Sequence, residues 1–98
     1  MTDDCDTIMQ ISKTVPIINK LGMHARAAAK FVKLASEFAC DIEVQREAQR
    51  VNGKSIMGVM MLAAARGSEI TLHANGKDAG QAVERLSELI ANRFDEEE

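Results

Sequence analysis

Three stretches of the chain alternate apolar and polar residues, and we predict each of them as a β-strand. Side chains of a strand point in turn to opposite faces, so this alternation gives every strand one apolar face. The stretches are TVPIIN, CDIEVQ and SEITLHA, and a short segment, RVNG, should pair with the second of them as a hairpin through the turn REAQ. Pro16 cannot donate a ladder hydrogen bond, which places the first strand at an edge. The apolar positions are Val15 and Ile17, then Cys40, Ile42 and Val44, then Ile70, Leu72 and Ala74.

Three other stretches carry apolar residues at the spacing of one helical face. The second predicted helix starts after Ser55, which we expect to cap it, and ends at Gly67, a residue suited to the left-handed conformation that terminates helices. The third follows Asp78, which resembles a capping box together with Gln81. The apolar positions are Ala27, Ala28, Phe31, Leu34, Ala35 and Phe38 in a helix over 25–38, then Ile56, Val59, Leu62 and Ala63, then Val83, Leu86, Leu89, Ile90 and Phe94.

The predicted order is strand, helix, strand, strand, helix, strand, helix (βαββαβα). Strands with one apolar face form an antiparallel or mixed sheet that is covered on that face and wet on the other. We therefore expect an α+β fold, an open-faced two-layer sandwich with three helices on one face of a four-stranded sheet. The 98 residues are one domain's worth of chain. Residues 1–98 are assigned to a single domain with its core at about 12–94 and acidic, flexible ends.

The composition of the chain argues against nucleic-acid binding, metal binding and membrane insertion. The net charge of -3 is concentrated in the tails TDDCD and DEEE, which leaves the middle close to neutral and gives no basic footprint for nucleic acid. Cys5 and Cys40 match no metal spacing, so we expect no metal and no cofactor. No apolar run approaches the roughly 20 residues that span a bilayer. With six methionines and no signal peptide, the chain is expected to be cytoplasmic and not inserted in a membrane.

The segment NKLGMHARAAAK contains the residues that we consider candidates for a reactive site. His24 directly precedes a predicted helix, whose first amides and positive dipole end favour an anion. Arg26 adds a planar, permanently charged donor group that suits phosphate oxygens, and neutral imidazole is a nucleophile. These features describe a histidine that accepts a phosphoryl group and loses it again. The alternative is a capping or solvated histidine, because a short motif carries little weight alone. His73, on the polar side of a strand, is interpreted as structural or solvated.

Two motifs, NKLGMHARAAAKFVKLASEF and VNGKSIMGVMMLAAARGSEI, resemble the HPr family, the histidine-containing phosphocarriers of the bacterial phosphoenolpyruvate-dependent phosphotransferase system. The likeness covers about residues 14–94. It implies that His24 takes a phosphoryl group through Nδ1 from phosphorylated enzyme I and passes it to an EIIA domain, while Arg26 accompanies the phosphate. The fold of the family, four antiparallel strands and three helices in an open-faced β-sandwich, agrees with the order derived above.

One position departs from the family pattern. Members commonly have proline after the arginine of the motif, where this chain has Ala27. Proline in the first turn of a helix pre-sets φ without losing a hydrogen bond, so alanine leaves the unfolded chain freer and lowers stability by about 0.4 to 1 kcal/mol. Alanine also adds one N–H donor beside the site, and its effect on transfer is left open.

The second motif resembles the regulatory serine region of HPr proteins that an HPr kinase/phosphorylase modifies. Ser55 is the corresponding residue, and a phosphate there would interact well with the helix N-terminus while adding negative charge to a docking surface. The alternative is a serine that only caps its helix. Ile56, Met57 and Met60 are predicted to face solvent beside His24 as a partner-binding surface, because methionines adapt to several partners. Helical apolar spacing alone would instead place them in the core.

The predicted function is therefore a phosphocarrier that serves sugar transport, a monomer in a transferase relay rather than a stand-alone enzyme. Its predicted partners are enzyme I, EIIA-type domains and an HPr kinase/phosphorylase. The alternative is a regulatory binding module, of the nitrogen-branch or catabolite-control type, that signals through its phosphorylation state. A hydrolase with His24 as general base has no Ser, Cys or carboxylate partner nearby in the sequence.

Overall fold

The strands predicted from alternation form one antiparallel sheet, although the first of them ends at Pro16, three residues before the end of the predicted stretch TVPIIN. The computed structural model describes residues 10–95, and within them the sheet has the strand order β1-β4-β2-β3. Val15 lies opposite Ile70, and Val44 lies opposite Leu72, so the apolar positions meet on one face. The strands are β1 (Gln10–Pro16), β2 (Asp41–Arg46), β3 (Gln49–Asn52) and β4 (Glu69–Asn75). Pro16 is exposed at the end of edge strand β1, as predicted.

Helices cover the apolar face of this sheet. They are α1 (Ala25–Ala35), α2 (Ile56–Met61) and α3 (Ala79–Ala91). The third helix was predicted to include Phe94 but ends before it, and Phe94 takes a left-handed conformation at φ 55° while remaining fully buried. Phe31 of α1, Val59 of α2 and Leu86 of α3 are fully buried in one core with the inward side chains of the strands. The other face carries Ser12, Thr14 and other polar side chains in contact with solvent. The predicted α+β fold, an open-faced two-layer sandwich in the order βαββαβα, is confirmed.

The first helix is shorter than its apolar periodicity predicted. It ends at Ala35 rather than Phe38, because the next two turns tighten: the amides of Glu37 and Phe38 donate to carbonyls three residues back, on Leu34 and Ala35, at 3.0 and 3.2 Å. Phe38 is buried all the same, so the periodicity identified a core position just past the helix.

The end of the second helix was also predicted wrongly. It ends at Met61, and Ala63 takes the left-handed conformation at φ 51°. Gly67, the predicted terminator, lies in the turn before β4, where its amide donates to the Ile17 carbonyl at 2.8 Å. Ala63 is exposed, although its spacing had placed it on the buried face.

Asp78 stands before α3 as predicted, but its carboxylate serves another part of the chain. It makes no cap hydrogen bond within α3 and accepts the amides of Ala39 and Cys40, each at 2.9 Å. Burial raises the pKa of the Cys40 thiol to about 11, and its hydrogen bond with Asp78 adds to this rise.

The acidic ends and Cys5 lie outside the described residues, so the single-domain assignment over residues 1–98 stays a prediction.

Candidate functional site

A tight turn brings the chain into α1. The Gly22 amide donates to the Asn19 carbonyl at 3.2 Å, and Gly22 adopts φ +66°. A Cβ atom at Gly22 would lie 2.6 Å from the Ala64 carbonyl oxygen, so both the space and the backbone conformation require glycine. The next amide, on Met23, donates to that Ala64 oxygen at 2.8 Å. The turn is therefore fastened to the loop that follows α2.

His24 occupies the N-cap position of α1 with an extended backbone, φ -82° and ψ -179°. Its carbonyl accepts the Ala28 amide at 2.8 Å, which is the first hydrogen bond of the helix. The three amides before it therefore have no partner within the helix. The imidazole makes no capping hydrogen bond, and the first turn of α1 contains no acidic side chain. The half-buried ring thus sits beside a helix N-terminus whose charge favours an anion and which has no side-chain cap from His24.

One contact of the ring is with a backbone carbonyl group. Nδ1 of His24 lies 3.1 Å from the carbonyl oxygen of Gly22. A carbonyl oxygen only accepts hydrogen bonds, so this contact is a hydrogen bond when the proton of the ring is on Nδ1. The nitrogen that the family resemblance identifies as reactive therefore faces the turn in this conformation.

Arg26 is the second residue of α1, and its side chain is exposed. No hydrogen bond or ion pair links it to the residues that the structure describes, so its guanidinium is available to an incoming anion. Ala27, at the position where the family has proline, is fully buried. Its methyl group packs in the core while its amide belongs to the open first turn.

Ser55 caps α2 as predicted. Its hydroxyl oxygen accepts the Gly58 amide at 3.1 Å, and the side chain is partly exposed. The neighbouring Lys54 ammonium donates to the Phe38 carbonyl at 2.6 Å, just beyond the end of α1. The start of α2 is thereby linked to the end of the helix whose beginning carries His24.

Large apolar side chains are exposed around these two helices. Ile56, Met57 and Met60 of α2 are exposed, as predicted, and Met57 is 73% exposed. Leu21, two residues before Met23 in the turn, is 67% exposed. Within the described part of the chain the exposed large apolar side chains, which we call the apolar surface, are Ile18, Leu21, Ile56, Met57, Met60 and Met61. A patch of exposed apolar side chains is typical of a protein-docking surface.

Sequence reasoning missed Ile18, Leu21 and Met61 as members of the apolar surface. Leu21 lies in a turn, where no periodicity assigns a face to it. Met61 lies on the exposed side of α2. Because the residues next to it are also apolar, the sequence did not distinguish the exposed side from the buried one. No signal in the sequence identified Leu21, since Met23 in the same turn is also apolar and is buried.

His73 lies apart from this site, on the open face of the sheet. Its Nδ1 is 2.8 Å from the Ser12 hydroxyl, and its Nε2 is 2.7 Å from the Gln45 side-chain oxygen. Burial lowers the pKa of His73, the positive charge of Arg50 lowers it further, and Glu43 opposes them. These contacts agree with the interpretation of His73 as a structural residue.

Residues 10–95 contain neither a metal-ligand cluster nor a membrane-spanning helix. No group of three or more His, Cys, Asp or Glu side chains in this part of the chain is arranged to hold a metal ion. None of its helices is long and apolar enough to cross a membrane.

Comparison with known proteins identifies close relatives. A family model described as "PTS HPr component phosphorylation site" matches residues 11–92. The phosphocarrier protein HPr of Pseudomonas aeruginosa is 54% identical over 85 residues, which cover 86% of this chain and 94% of that protein. The HPr of Pseudomonas putida is 52% identical over 88 residues, 89% of this chain and 98% of that protein. A crystal structure of HPr from Thermoanaerobacter tengcongensis matches with a TM-score of 0.86 at 43% identity, over 90% of this chain and 99% of that one.

Proposed function

The chain belongs to the HPr family of phosphocarriers of the phosphotransferase system, and on that premise we propose that His24 is the residue that carries the phosphoryl group. The observation that carries the proposal is the position of the half-buried imidazole at the N-cap of α1, where it makes no capping hydrogen bond. Arg26 then binds the phosphate oxygens from the second position of the helix. The helix amides and the dipole stabilise the same charge.

The transfer step follows from the chemistry of the ring. The Nδ1 lone pair attacks phosphorus, a P–N bond forms, and the bond from phosphorus to the donor breaks with its electron pair leaving on the donor. Nδ1 must lose any proton it carries first, either to Nε2 through solvent or to solvent itself. The acceptor then attacks the same phosphorus, and the electron pair of the P–N bond returns to Nδ1. The protein is regenerated, so it acts as a carrier rather than a stand-alone enzyme.

The proposed partners are phosphorylated enzyme I as donor and an EIIA-type domain as acceptor. Both have to place a reactive group against His24, and both would dock on the apolar surface, including Ile56, Met57 and Met60. A surface that has to bind more than one partner favours methionine, because the flexible side chain of methionine adapts to each of them. A monomeric carrier in the cytoplasm, where phosphoenolpyruvate is available, is part of the same proposal.

Ser55 is proposed as a regulatory phosphorylation site. An HPr kinase/phosphorylase would transfer the γ-phosphoryl group of ATP to the hydroxyl oxygen, with ADP leaving and the hydroxyl proton lost. The hydroxyl oxygen is partly exposed and already accepts the Gly58 amide, so a phosphate there remains compatible with the α2 N-terminus. It would also place negative charge beside Ile56 and Met57, which lowers the affinity of an acidic partner.

A regulatory binding module remains the second candidate, because the exposed apolar side chains of α2 lie directly after Ser55. In that case the phosphorylation state would mainly change which partner binds. Partner binding measured with and without phosphate separates the two, since a carrier loses its function on His24→Ala and a Ser55-dependent module loses it on Ser55→Ala.

Incubation with phosphoenolpyruvate and enzyme I, followed by intact mass measurement, tests the carrier role. We expect one acid-labile phosphate on the native chain and none on His24→Ala. His73→Ala is the matched control, because it removes the other histidine and should leave the modification in place. A phosphate that persists in His24→Ala would overturn the assignment. A stable phosphate that needs ATP and the kinase, and that disappears in Ser55→Ala, supports the regulatory site.

A further inference from the structure

The peptide group between Gly22 and Met23 is held at both of its polar ends. The buried Asn19 side chain donates from Nδ2 to the Gly22 carbonyl at 2.8 Å. The Met23 amide donates in the opposite direction, to the Ala64 carbonyl, also at 2.8 Å. Because a peptide group is planar, fixing its N–H and its C=O fixes the direction of the carbonyl.

His24 meets this same carbonyl twice. Its backbone amide donates to the Gly22 oxygen at 2.9 Å, and its ring Nδ1 lies 3.1 Å away. Two amide donors, from the Asn19 side chain and the His24 backbone, therefore converge on one oxygen, and the ring becomes a third donor when Nδ1 carries the proton. The Asn19 amide is buried and the backbone amide is part of the chain, so the ring is the donor that can turn away.

We propose that Asn19 is a positioning residue for His24: its buried amide orients the Gly22 carbonyl, and that carbonyl selects the Nδ1-protonated tautomer of the resting histidine. The inference rests on the proposed function, in which Nδ1 is the reactive nitrogen. In this tautomer the lone pair of the neutral ring is on Nε2, and Nδ1 faces the turn.

The unphosphorylated and phosphorylated forms of the carrier therefore differ in the contact between the His24 ring and the Gly22 carbonyl. A phosphorylated Nδ1 has no proton to donate, so the contact with the Gly22 carbonyl exists only in the unphosphorylated protein. The ring has to leave the carbonyl and release the proton before it accepts the phosphoryl group. Asn19 thus contributes to the resting position of the ring without touching the phosphate.

The test is the tautomer ratio of His24, read from the imidazole nitrogen chemical shifts of ¹⁵N-labelled protein at a pH where the ring is neutral. The native protein should hold more of His24 as the Nδ1–H form than as the Nε2–H form. Asn19→Ala should lower that ratio by roughly two- to tenfold, the effect of weakening one hydrogen bond. Asn19→Ser, which keeps a shorter donor, should fall between them.

Ser87→Ala is the matched control. The Ser87 hydroxyl is buried in α3 and donates to the Val83 carbonyl at 2.6 Å, so its loss also removes a buried side-chain bond to the backbone. It should leave the ratio at its native value. A native ratio that favours Nε2–H, a folded Asn19 variant with the native ratio, or an equal shift in Ser87→Ala would each overturn the inference.

The result is independent of the carrier test, because no phosphoryl transfer enters the measurement. If the tautomer ratio behaves as expected but His24→Ala still accepts the phosphate from enzyme I, the proposed function fails and the positioning of the ring stands. If His24 carries the phosphate but the ratio ignores Asn19, the positioning fails alone.

Discussion

Ser55→Ala should destabilise the protein by about 1 kcal/mol, because it removes the acceptor of a helix N-cap. In the structure the hydroxyl oxygen accepts the Gly58 amide at 3.1 Å. The helix that it caps has six residues, too few to be stable without help from its surroundings. Buried Val59 and Leu62 keep α2 packed, so we expect a loss near the typical cap value and no loss of the fold. For a domain of this size, 1 kcal/mol corresponds to a fall in Tm of about 4–8 °C.

Urea unfolding followed by far-ultraviolet circular dichroism measures this loss, with the same slope in denaturant expected for both proteins. Ser55→Asp is the control variant, since its carboxylate restores the acceptor and adds negative charge at the helix N-terminus. It should recover most of the stability and at the same time slow phosphorylation of His24 by enzyme I if the partner is acidic. The reasoning about the cap fails if Ser55→Ala is as stable as the native protein, or if Ser55→Asp is no more stable than Ser55→Ala.

Three further predictions concern other contacts. Gly22→Ala should destabilise the protein by about 1–3 kcal/mol, because alanine disfavours a positive φ and its methyl group would clash with the Ala64 carbonyl; a thermal melt equal to that of native protein would contradict this. The Ala39 amide lowers the pKa of Asp78, so that carboxylate contributes stability above its unfolded pKa and loses it as the pH falls through its folded pKa. Urea unfolding should therefore show a gap between native protein and Asp78→Asn that is largest near neutral pH and shrinks in acid, whereas a constant gap would exclude this origin. In a Cys5→Ser background, Cys40 should react with a maleimide far more slowly in the folded protein than in urea, because the thiol is buried and its pKa is about 11.

The sheet could be predicted from the sequence because each strand has one wet face. Ile42 and Val44 alternate with exposed Asp41 and Glu43, and this period of two is visible without knowing the partner strand. The strand order has no such local signal. It depends on β4 pairing with both β1 and β2, which are separated from it by helices in the sequence.

The errors arose where a distant partner outweighed a local preference. Asp78 and Gln81 have the spacing of a capping box, yet the Asp78 carboxylate binds two amides about 39 residues away. The segment after α2 reads as helix up to Gly67, but Ala63 already leaves the helical conformation. The loop that results presents the Ala64 carbonyl to the turn before His24. No pattern within either segment contains that information.

The residues of the candidate site also differ in whether a local sequence signal identifies them. His24, Arg26 and Ser55 were predicted because a motif places them at helix starts, and helix starts are local features. Asn19 was missed because NKLG reads as an ordinary turn, in which asparagine is common and exposed. Its side chain is fully buried, and only the fold shows that its amide is aimed at the carbonyl that contacts the histidine.

The N-terminus of α1 lacks two groups that commonly stabilise the start of a helix. A helix N-terminus is usually stabilised by an acidic side chain in its first turn, worth about 0.3–1 kcal/mol, and by a side-chain cap worth about 1 kcal/mol. This helix has neither. The same is true of α3, whose Asp78 carboxylate binds amides elsewhere in the chain, whereas α2 has its serine cap. The difference is explained if a phosphate takes the place of both on His24. An acidic residue in the first turn, as in Ala25→Glu, should then stabilise the unphosphorylated protein and weaken its phosphorylation, which calorimetry and the enzyme I reaction would measure. If it stabilised the protein and left phosphorylation intact, the missing cap would have no connection with the carrier role.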